Sequence, residues 1–119
     1  MLRLLESFKY AFRGMKYVLR EQTIKILLVI ASLVIISMIY LGVSSIEKTV
    51  LLLTITVVLS LEMINSQIED VLDILQPTLS QKVRAIKDVS AGAVLLASLG
   101  ALLIGLLIFL PYVIPLLGF

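Results

Sequence analysis

The residues best suited to chemistry follow an apolar run that spans residues 49–61. Glu62 is the first charge after that run, and a carboxylate at membrane depth is costly in free energy. Five polar side chains from this point fall within about 100° of arc on one helix face. They are Glu62, Asn65, Ser66, Glu69 and Asp73. We call this set of three carboxylates, one amide and one hydroxyl the polar stripe.

The carboxylates of the polar stripe need a compensating partner. Like charges repel one another, and burial disfavours the ionised form further, so a divalent cation, a Lys or Arg, or a proton must offset the cost. Oxygen ligands alone suit Mg²⁺, which prefers one or two carboxylates together with substrate phosphates. A proton or cation transporter would also place a carboxylate at Glu62. A solvated acidic helix end remains an alternative for Asp73 and its neighbour Asp70.

A second group of charges stands before the last apolar run. Lys87 and Asp88 precede that run directly, and Lys82 and Arg84 are close by in sequence. These cations are available to bind phosphate oxygens. The same residues also fit the flanking charges of a membrane helix, so both interpretations stay open.

The composition excludes several kinds of active site. Because the chain has no Cys and no His, it has no thiolate nucleophile and no Ser-His-Asp triad. Its six glycines are scattered, so no Walker A loop and no GxGxxG motif can form. Any general base must therefore be a carboxylate, Lys or Tyr.

The elements that carry these residues are predicted to be membrane helices. The 119 residues are 61% hydrophobic and 15% charged, which excludes disorder, a nucleic-acid-binding basic domain and an ordinary soluble enzyme. Uncharged runs at 26–46 and 89–119 are long enough to cross a bilayer. We therefore predict an all-α membrane protein with one domain, residues 1–119. Its predicted segments are a surface helix at 1–20 and membrane helices at 24–45, 48–75 and 86–110.

The basic residues predict the orientation. Nine of the ten Lys and Arg residues lie before the first span or between the second and third, and only Lys48 lies on the other side. By the positive-inside rule, the N-terminus and the 76–88 loop are cytoplasmic and the C-terminus is outside. We therefore expect a multi-pass protein of the cytoplasmic membrane.

The first twenty residues predict an amphipathic helix. Apolar side chains fall on one face and basic ones on the opposite face, which is typical of a helix lying in the membrane surface. Arg3, Tyr10 and Tyr17 recur every seven residues along one flank. That flank either anchors the helix at the interface or borders a site for a phosphate and a planar base.

A stripe of small residues marks the last span, every fourth position being Ala or Gly. Its members are Ala93, Ala97, Ala101 and Gly105. Such stripes let helices approach closely in lipid, so we expect a compact bundle or a homo-oligomer.

Two segments resemble the signature of a known family. Residues 62–73 fit E-x-x-N-[ST]-x-[IL]-E-x-x-x-D, and residues 86–94 fit A-K-D-x-x-[AS]-[AG]-A-V except for Ile86 in place of Ala. This pattern resembles that of the prokaryotic diacylglycerol kinases, which include the undecaprenol kinases. The resemblance implies an ATP-dependent lipid kinase that transfers the γ-phosphate of Mg-ATP to the primary hydroxyl of diacylglycerol or undecaprenol. It also implies a homotrimeric bundle of three-span subunits, with active sites shared between subunits at the cytoplasmic rim.

The resemblance also implies roles for residues near the lipid. Glu62, at the depth where a lipid hydroxyl would lie, is expected to act as general base. Asn65 would orient Glu62 or the substrate hydroxyl, and Ser66 would contact the lipid substrate.

Residues nearer the aqueous phase are assigned to Mg-ATP. Glu69 and Glu21 would hold Mg²⁺ on the phosphates. Lys87 would neutralise the transferring phosphoryl group, and Asp88 would hold Lys87 in place. Three further residues are expected at the nucleotide, with Asp73 contacting ribose or a second Mg²⁺. They are Arg3, Tyr10 and Asp73.

The competing hypothesis is a small oligomeric transporter that uses Glu62 as a proton or cation site. Glu69 and the Lys87-Asp88 pair favour the kinase, because phosphoryl transfer needs these charges and a transporter has little need of them.

Overall fold

The fold was analysed in a computed structural model, which describes residues 1–75 and 80–118. It contains four helices in that range, and this confirms the predicted all-α class. They are α1 (Leu2–Val18), α2 (Gln22–Leu41), α3 (Ser45–Leu75) and α4 (Gln81–Leu116). Residues 76–79 of the predicted 76–88 loop and residue 119 at the C-terminus lie outside the described residues.

Three helices are long and apolar enough to cross a membrane. Helix α2 has 20 residues, which at 1.5 Å per residue matches a hydrocarbon core of about 30 Å. Helices α3 and α4 have 31 and 36 residues and are therefore longer than that core. Both extend beyond the apolar part of their sequences.

Helix α4 extends past both ends of the predicted span 86–110. It begins early because the Ser80 hydroxyl caps it, accepting a hydrogen bond from the Val83 N–H at 3.2 Å. At its other end the helix continues through Pro111 and Pro115 to Leu116, past residue 110 where the predicted span ends. Interior prolines are tolerated in membrane helices, where neighbouring groups satisfy the backbone carbonyls that proline frees.

The turn between α2 and α3 has a residue pattern that terminates α2. Gly42 adopts a left-handed conformation (φ 64°, ψ 42°), and its N–H bonds to the Ile39 carbonyl. The Val43 N–H bonds to the Met38 carbonyl, which completes a Schellman motif. Met38 and Val43 are both buried and belong to one hydrophobic cluster with Leu51. The turn is therefore fixed by backbone hydrogen bonds and by apolar contact together.

The same turn starts the next helix. The Glu47 N–H donates to the Ser44 hydroxyl at 3.2 Å, and the Ser44 N–H donates to the Glu47 carboxylate at 3.0 Å. This reciprocal pair is a capping box. The Tyr112 hydroxyl of α4 donates to the same Glu47 carboxylate. The start of α3 is thus tied to the end of α4.

Helix packing is uneven across the chain. Helix α4 packs mainly along α3, α2 makes a smaller contact with α3, and α1 has only Val18 buried. Met38, Val43, Leu51 and Ile108 form the buried apolar cluster at the Glu47 end of the bundle. The polar stripe lies toward the opposite end of α3.

The small-residue stripe of α4 does not produce a close approach within one chain. Ala93 is exposed, and a Cβ added at Gly105 would meet no atom within 4 Å. Ala101 and Gly105 instead line a cavity of about 450 Å³ between α2, α3 and α4. Close helix packing at Ala93 and Gly105 is therefore not present within the described chain, and the expectation of a homo-oligomer stays a prediction.

The Schellman motif yields a prediction about stability. Gly42→Ala should lower the free energy of unfolding by about 1–2 kcal/mol, because an L side chain is strained in the left-handed conformation. Gly100→Ala is the matched control, since a Cβ at that helical position meets nothing within 4 Å. It should be neutral or stabilising. Unfolding in detergent micelles, followed by circular dichroism, measures both, and equal stability of the two variants would contradict the prediction.

Candidate active site

The polar stripe occupies the face of α3 that meets α4. Three polar or charged side chains are buried in the described part of the chain, and all belong to this stripe: Glu62 is 8% exposed, Asn65 7% and Ser66 8%. Their i, i+3, i+4 spacing places them on one helix face. Exposure then rises along the stripe, with Glu69 half-buried and Asp73 exposed.

Asn65 connects the two helices. The Ser90 hydroxyl of α4 donates to the Asn65 Oδ1 at 2.7 Å, and the Asn65 Nδ2 donates to the Glu69 Oε1 at 3.4 Å. Both ends of the amide are therefore satisfied in a buried position. The network runs from α4 through Asn65 to the half-buried carboxylate.

Ser66 is held within its own helix. Its hydroxyl donates to the Met63 carbonyl at 3.0 Å and accepts a hydrogen bond from the Gln67 Nε2 at 3.3 Å. The hydroxyl therefore lies beside Glu62 and Asn65 on the buried face, as a border of the cluster.

Lys87 has a partner different from the predicted one. Its Nζ bonds to the Asp73 carboxylate of α3, whereas Asp88, its neighbour in sequence, is exposed. The side chain of Asp73 is 63% exposed, so the pair adds little stability, about 0–1 kcal/mol. Its effect is to hold the ammonium group of Lys87 at the solvent end of the polar stripe.

Glu21 lies at the turn between α1 and α2. It is half-buried, in an extended conformation at the N-cap of α2. Its carboxylate and that of Glu69 are both within electrostatic range of Glu62. The fold therefore places both predicted metal ligands near enough to the predicted base for their charges to act on it.

These carboxylates do not form a complete metal site from protein ligands. Within residues 1–75 and 80–118, no group of three or more acidic side chains is arranged to hold a metal ion. One or two carboxylates still suit Mg²⁺ when substrate phosphates supply the other ligands. The donor set of Glu21 and Glu69 fits that case.

The two predicted nucleotide residues of α1 lie apart from the polar stripe. Tyr10 lines an apolar groove of about 930 Å³ between α1 and the second half of α3, and the Arg13 guanidinium stands 5.6 Å from its ring centre. Arg3 is exposed near the start of α1 and does not line this groove. The part of the flank that carries Tyr10 and Tyr17 therefore faces the open groove beside α3.

The sequence analysis gave no role to Ser90, which the structure places in contact with Asn65 of the polar stripe. The available signal was its position three residues after Lys87, which puts both side chains on one face of α4. The cross-helix contact of Glu47 with Tyr112 was also missed. The spacing of Ser44 and Glu47 is that of a capping box, which is a signal for the start of α3 only.

The arrangement can position two kinds of reactant. A buried carboxylate such as Glu62 can accept a proton from a hydroxyl group placed beside it. Glu69 and Lys87 lie further toward the exposed end, where a carboxylate and an ammonium group can hold a metal-bound phosphate. Positioning and charge neutralisation are the main requirements of phosphoryl transfer.

Comparison with known proteins agrees with this chemistry. The family model described as "Prokaryotic diacylglycerol kinase" matches residues 9–109. A Synechocystis protein named diacylglycerol kinase is 34% identical over 110 residues, which cover 91% of this chain and 63% of the relative. A Bacillus subtilis protein named undecaprenol kinase is 34% identical over 110 residues, covering 92% and 89%.

The matched range includes Tyr10, Glu21, the polar stripe and the Lys87 region, so the similarity covers nearly all of the candidate site. The chain spans less than two thirds of the Synechocystis relative, and almost nine tenths of the Bacillus one. On this similarity and on the motifs of α3 and α4, the chain belongs to the prokaryotic diacylglycerol kinase family.

Proposed function

We propose that the protein is a lipid kinase that transfers the γ-phosphate of Mg-ATP to the primary hydroxyl of a membrane lipid alcohol. The observation that carries the proposal is the buried group Glu62, Asn65 and Ser66, which leads along one helix face to a half-buried Glu69. The names of the two relatives indicate diacylglycerol, giving phosphatidic acid, or undecaprenol, giving undecaprenyl phosphate.

The position of Glu62 fits a lipid hydroxyl as acceptor. It lies 17 residues after the start of α3, which is about 26 Å along the helix axis and close to the far boundary of a 30 Å hydrocarbon core. The hydroxyl of a membrane lipid alcohol lies at that boundary. Glu62 takes its proton as general base, Asn65 orients the reacting groups and Ser66 borders the lipid.

The solvent end of the polar stripe receives the nucleotide. Glu69 and Glu21 hold Mg²⁺, which when bound neutralises charge on the phosphates. Lys87 contacts the transferring phosphoryl group and Asp73 positions its ammonium group. Three more residues border the nucleotide in this proposal: Arg3, Tyr10 and Asp88.

The distribution of charge supports the proposed placement in the membrane. In this placement, the N-terminus and the 76–88 region lie on the cytoplasmic side of the cytoplasmic membrane. The C-terminus lies on the outer side. Helix α1 lies on the cytoplasmic surface as an amphipathic helix, because its basic residues favour anionic headgroups and Val18 is its only buried residue.

A homotrimer with shared sites completes the proposal. A single chain leaves the cavity beside Gly105 and the groove beside Tyr10 open, and its buried apolar residues are few. Neighbouring subunits would fill both spaces, and close packing on the small-residue stripe becomes available between chains. Residues of α1 such as Arg3 would then serve the polar stripe of a neighbour.

The decisive experiment is transfer of labelled phosphate from ATP to lipid. Purified protein in detergent micelles is given Mg²⁺, labelled ATP and either diacylglycerol or undecaprenol, and labelled lipid is counted. We expect product with at least one of the two lipids. Absence of product with both would overturn the kinase and favour the alternative, in which Glu62 is the ion site of a transporter.

Replacing the proposed base should abolish most of the turnover. Glu62→Gln keeps the side-chain size but cannot accept the proton, so kcat should fall by roughly 100-fold or more. Asp70→Asn, on the exposed side of α3, is the matched control and should keep wild-type activity. Lipid phosphorylation by micellar protein of matched helix content measures both. More than a tenth of wild-type turnover in Glu62→Gln would contradict the assignment.

Replacing either proposed metal ligand should raise the Mg²⁺ concentration that the enzyme requires. Glu21→Gln and Glu69→Gln each remove one anionic ligand, so the Mg²⁺ concentration for half-maximal rate should rise severalfold. Asp70→Asn should leave that concentration unchanged. The assay is a titration of free Mg²⁺ at saturating lipid. Titration curves of both variants that superimpose on the wild-type curve would rule out a ligand role.

A further inference from the structure

Ser90 uses its hydroxyl differently from other hydroxyl residues in these helices. Six of them donate to the carbonyl of the residue four positions earlier in their own helix. They are Ser7, Ser32, Ser37, Thr49, Thr54 and Thr56. Ser90 instead donates to the Oδ1 of Asn65 in the neighbouring helix, at 2.7 Å. Its hydroxyl therefore has a role between helices.

The direction of the hydrogen bonds through Asn65 is determined by the carboxylate at its other end. An ionised carboxylate only accepts hydrogen bonds, so the Nδ2 of Asn65 must face Glu69, as it does. The Oδ1 then faces α4, and the Ser90 hydroxyl must donate to it. Because Asn65 is 7% exposed, water is a poor substitute for this donor.

Without the Ser90 hydroxyl, the buried Oδ1 of Asn65 would lack its donor in α4. The amide would rotate or shift to find another, and Glu69 would lose the N–H that holds its carboxylate. Lys87 precedes Ser90 by one turn and bonds to Asp73. The same turn of α4 thus contacts α3 at two points of the polar stripe.

We propose that Ser90 is a positioning residue of the active site: its hydroxyl fixes the Asn65 amide so that the N–H of Asn65 holds the Glu69 carboxylate in place. The inference rests on the proposed function, because Glu69 is a magnesium ligand only in that proposal. Ser90 contacts neither substrate in this arrangement and acts through Asn65 alone.

The test compares two nearly isosteric variants. Ser90→Thr keeps the hydroxyl, whereas Ser90→Val replaces it with a methyl group. Ser90→Val should raise the Mg²⁺ concentration for half-maximal rate about threefold to tenfold and leave the KM for lipid unchanged, while Ser90→Thr should stay near wild type. Ser32→Ala is the control, because that hydroxyl bonds only within its own helix, to the Leu28 carbonyl.

A double-mutant cycle shows whether Ser90 acts through Asn65. In an Asn65→Ala background, Ser90→Val should cause no further change in the Mg²⁺ titration. An effect equal to that in the wild-type background would overturn the proposal, since Ser90 would then act by another route. Equal titrations of Ser90→Val and Ser90→Thr would also overturn it.

A second readout does not depend on activity. The side-chain amide signals of Asn65 in isotope-labelled protein, recorded by NMR in micelles, should move in Ser90→Val and stay in place in Ser32→Ala. Unmoved signals in Ser90→Val would overturn the proposal. If the wild-type protein phosphorylates neither lipid, the proposed function fails, while these amide signals still decide whether Ser90 positions Asn65.

Discussion

The cost of burying polar groups at membrane depth governs this structure. Glu62, Asn65 and Ser66 are each less than a tenth exposed, at a level where few water molecules can satisfy them. Asn65 and Ser66 find their partners within the protein, and Ser90 of α4 is the donor that the neighbouring helix supplies to Asn65. In lipid, helices associate through van der Waals packing and interhelical hydrogen bonds. The polar contacts therefore add to the packing of α4 on α3, which is the most extensive helix contact among the described residues.

Side-chain hydrogen bonds join α3 and α4 at three points along their length. Tyr112 bonds to Glu47 at one end, Ser90 bonds to Asn65 beyond the middle, and Lys87 bonds to Asp73 near the other end. These contacts order the two helices as antiparallel neighbours. By contrast, α1 contributes a single buried residue and borders an open groove. The rigid pair thus carries the polar stripe, and the less packed helix stands beside the space where a second molecule could bind.

The polar stripe could be predicted from sequence because helical periodicity is a local property. The spacing of Glu62, Asn65 and Ser66 alone puts them on one face. The partner of Lys87 could not be predicted in this way, since it depends on the register of α4 against α3. The family resemblance implied Asp88, but the facing helix presents Asp73 instead. The space beside Gly105 within one chain could not be predicted for the same reason, because a small residue permits close approach without requiring it.

The gradient of exposure along α3 discriminates between the two proposed chemistries. Glu62 is buried, Glu69 is half-buried and Asp73 is exposed, over a distance of about 16 Å. A reaction that joins a lipid hydroxyl to a water-soluble phosphate donor needs such a transition from apolar to aqueous surroundings. An ion-coupled transporter would need ionisable groups continuing across the bilayer. Between Lys48 and Glu62, however, the sequence of α3 contains no ionisable side chain. The ionisable groups of the polar stripe therefore lie together toward one end of α3, where in the proposed function a lipid hydroxyl and a water-soluble phosphate donor meet.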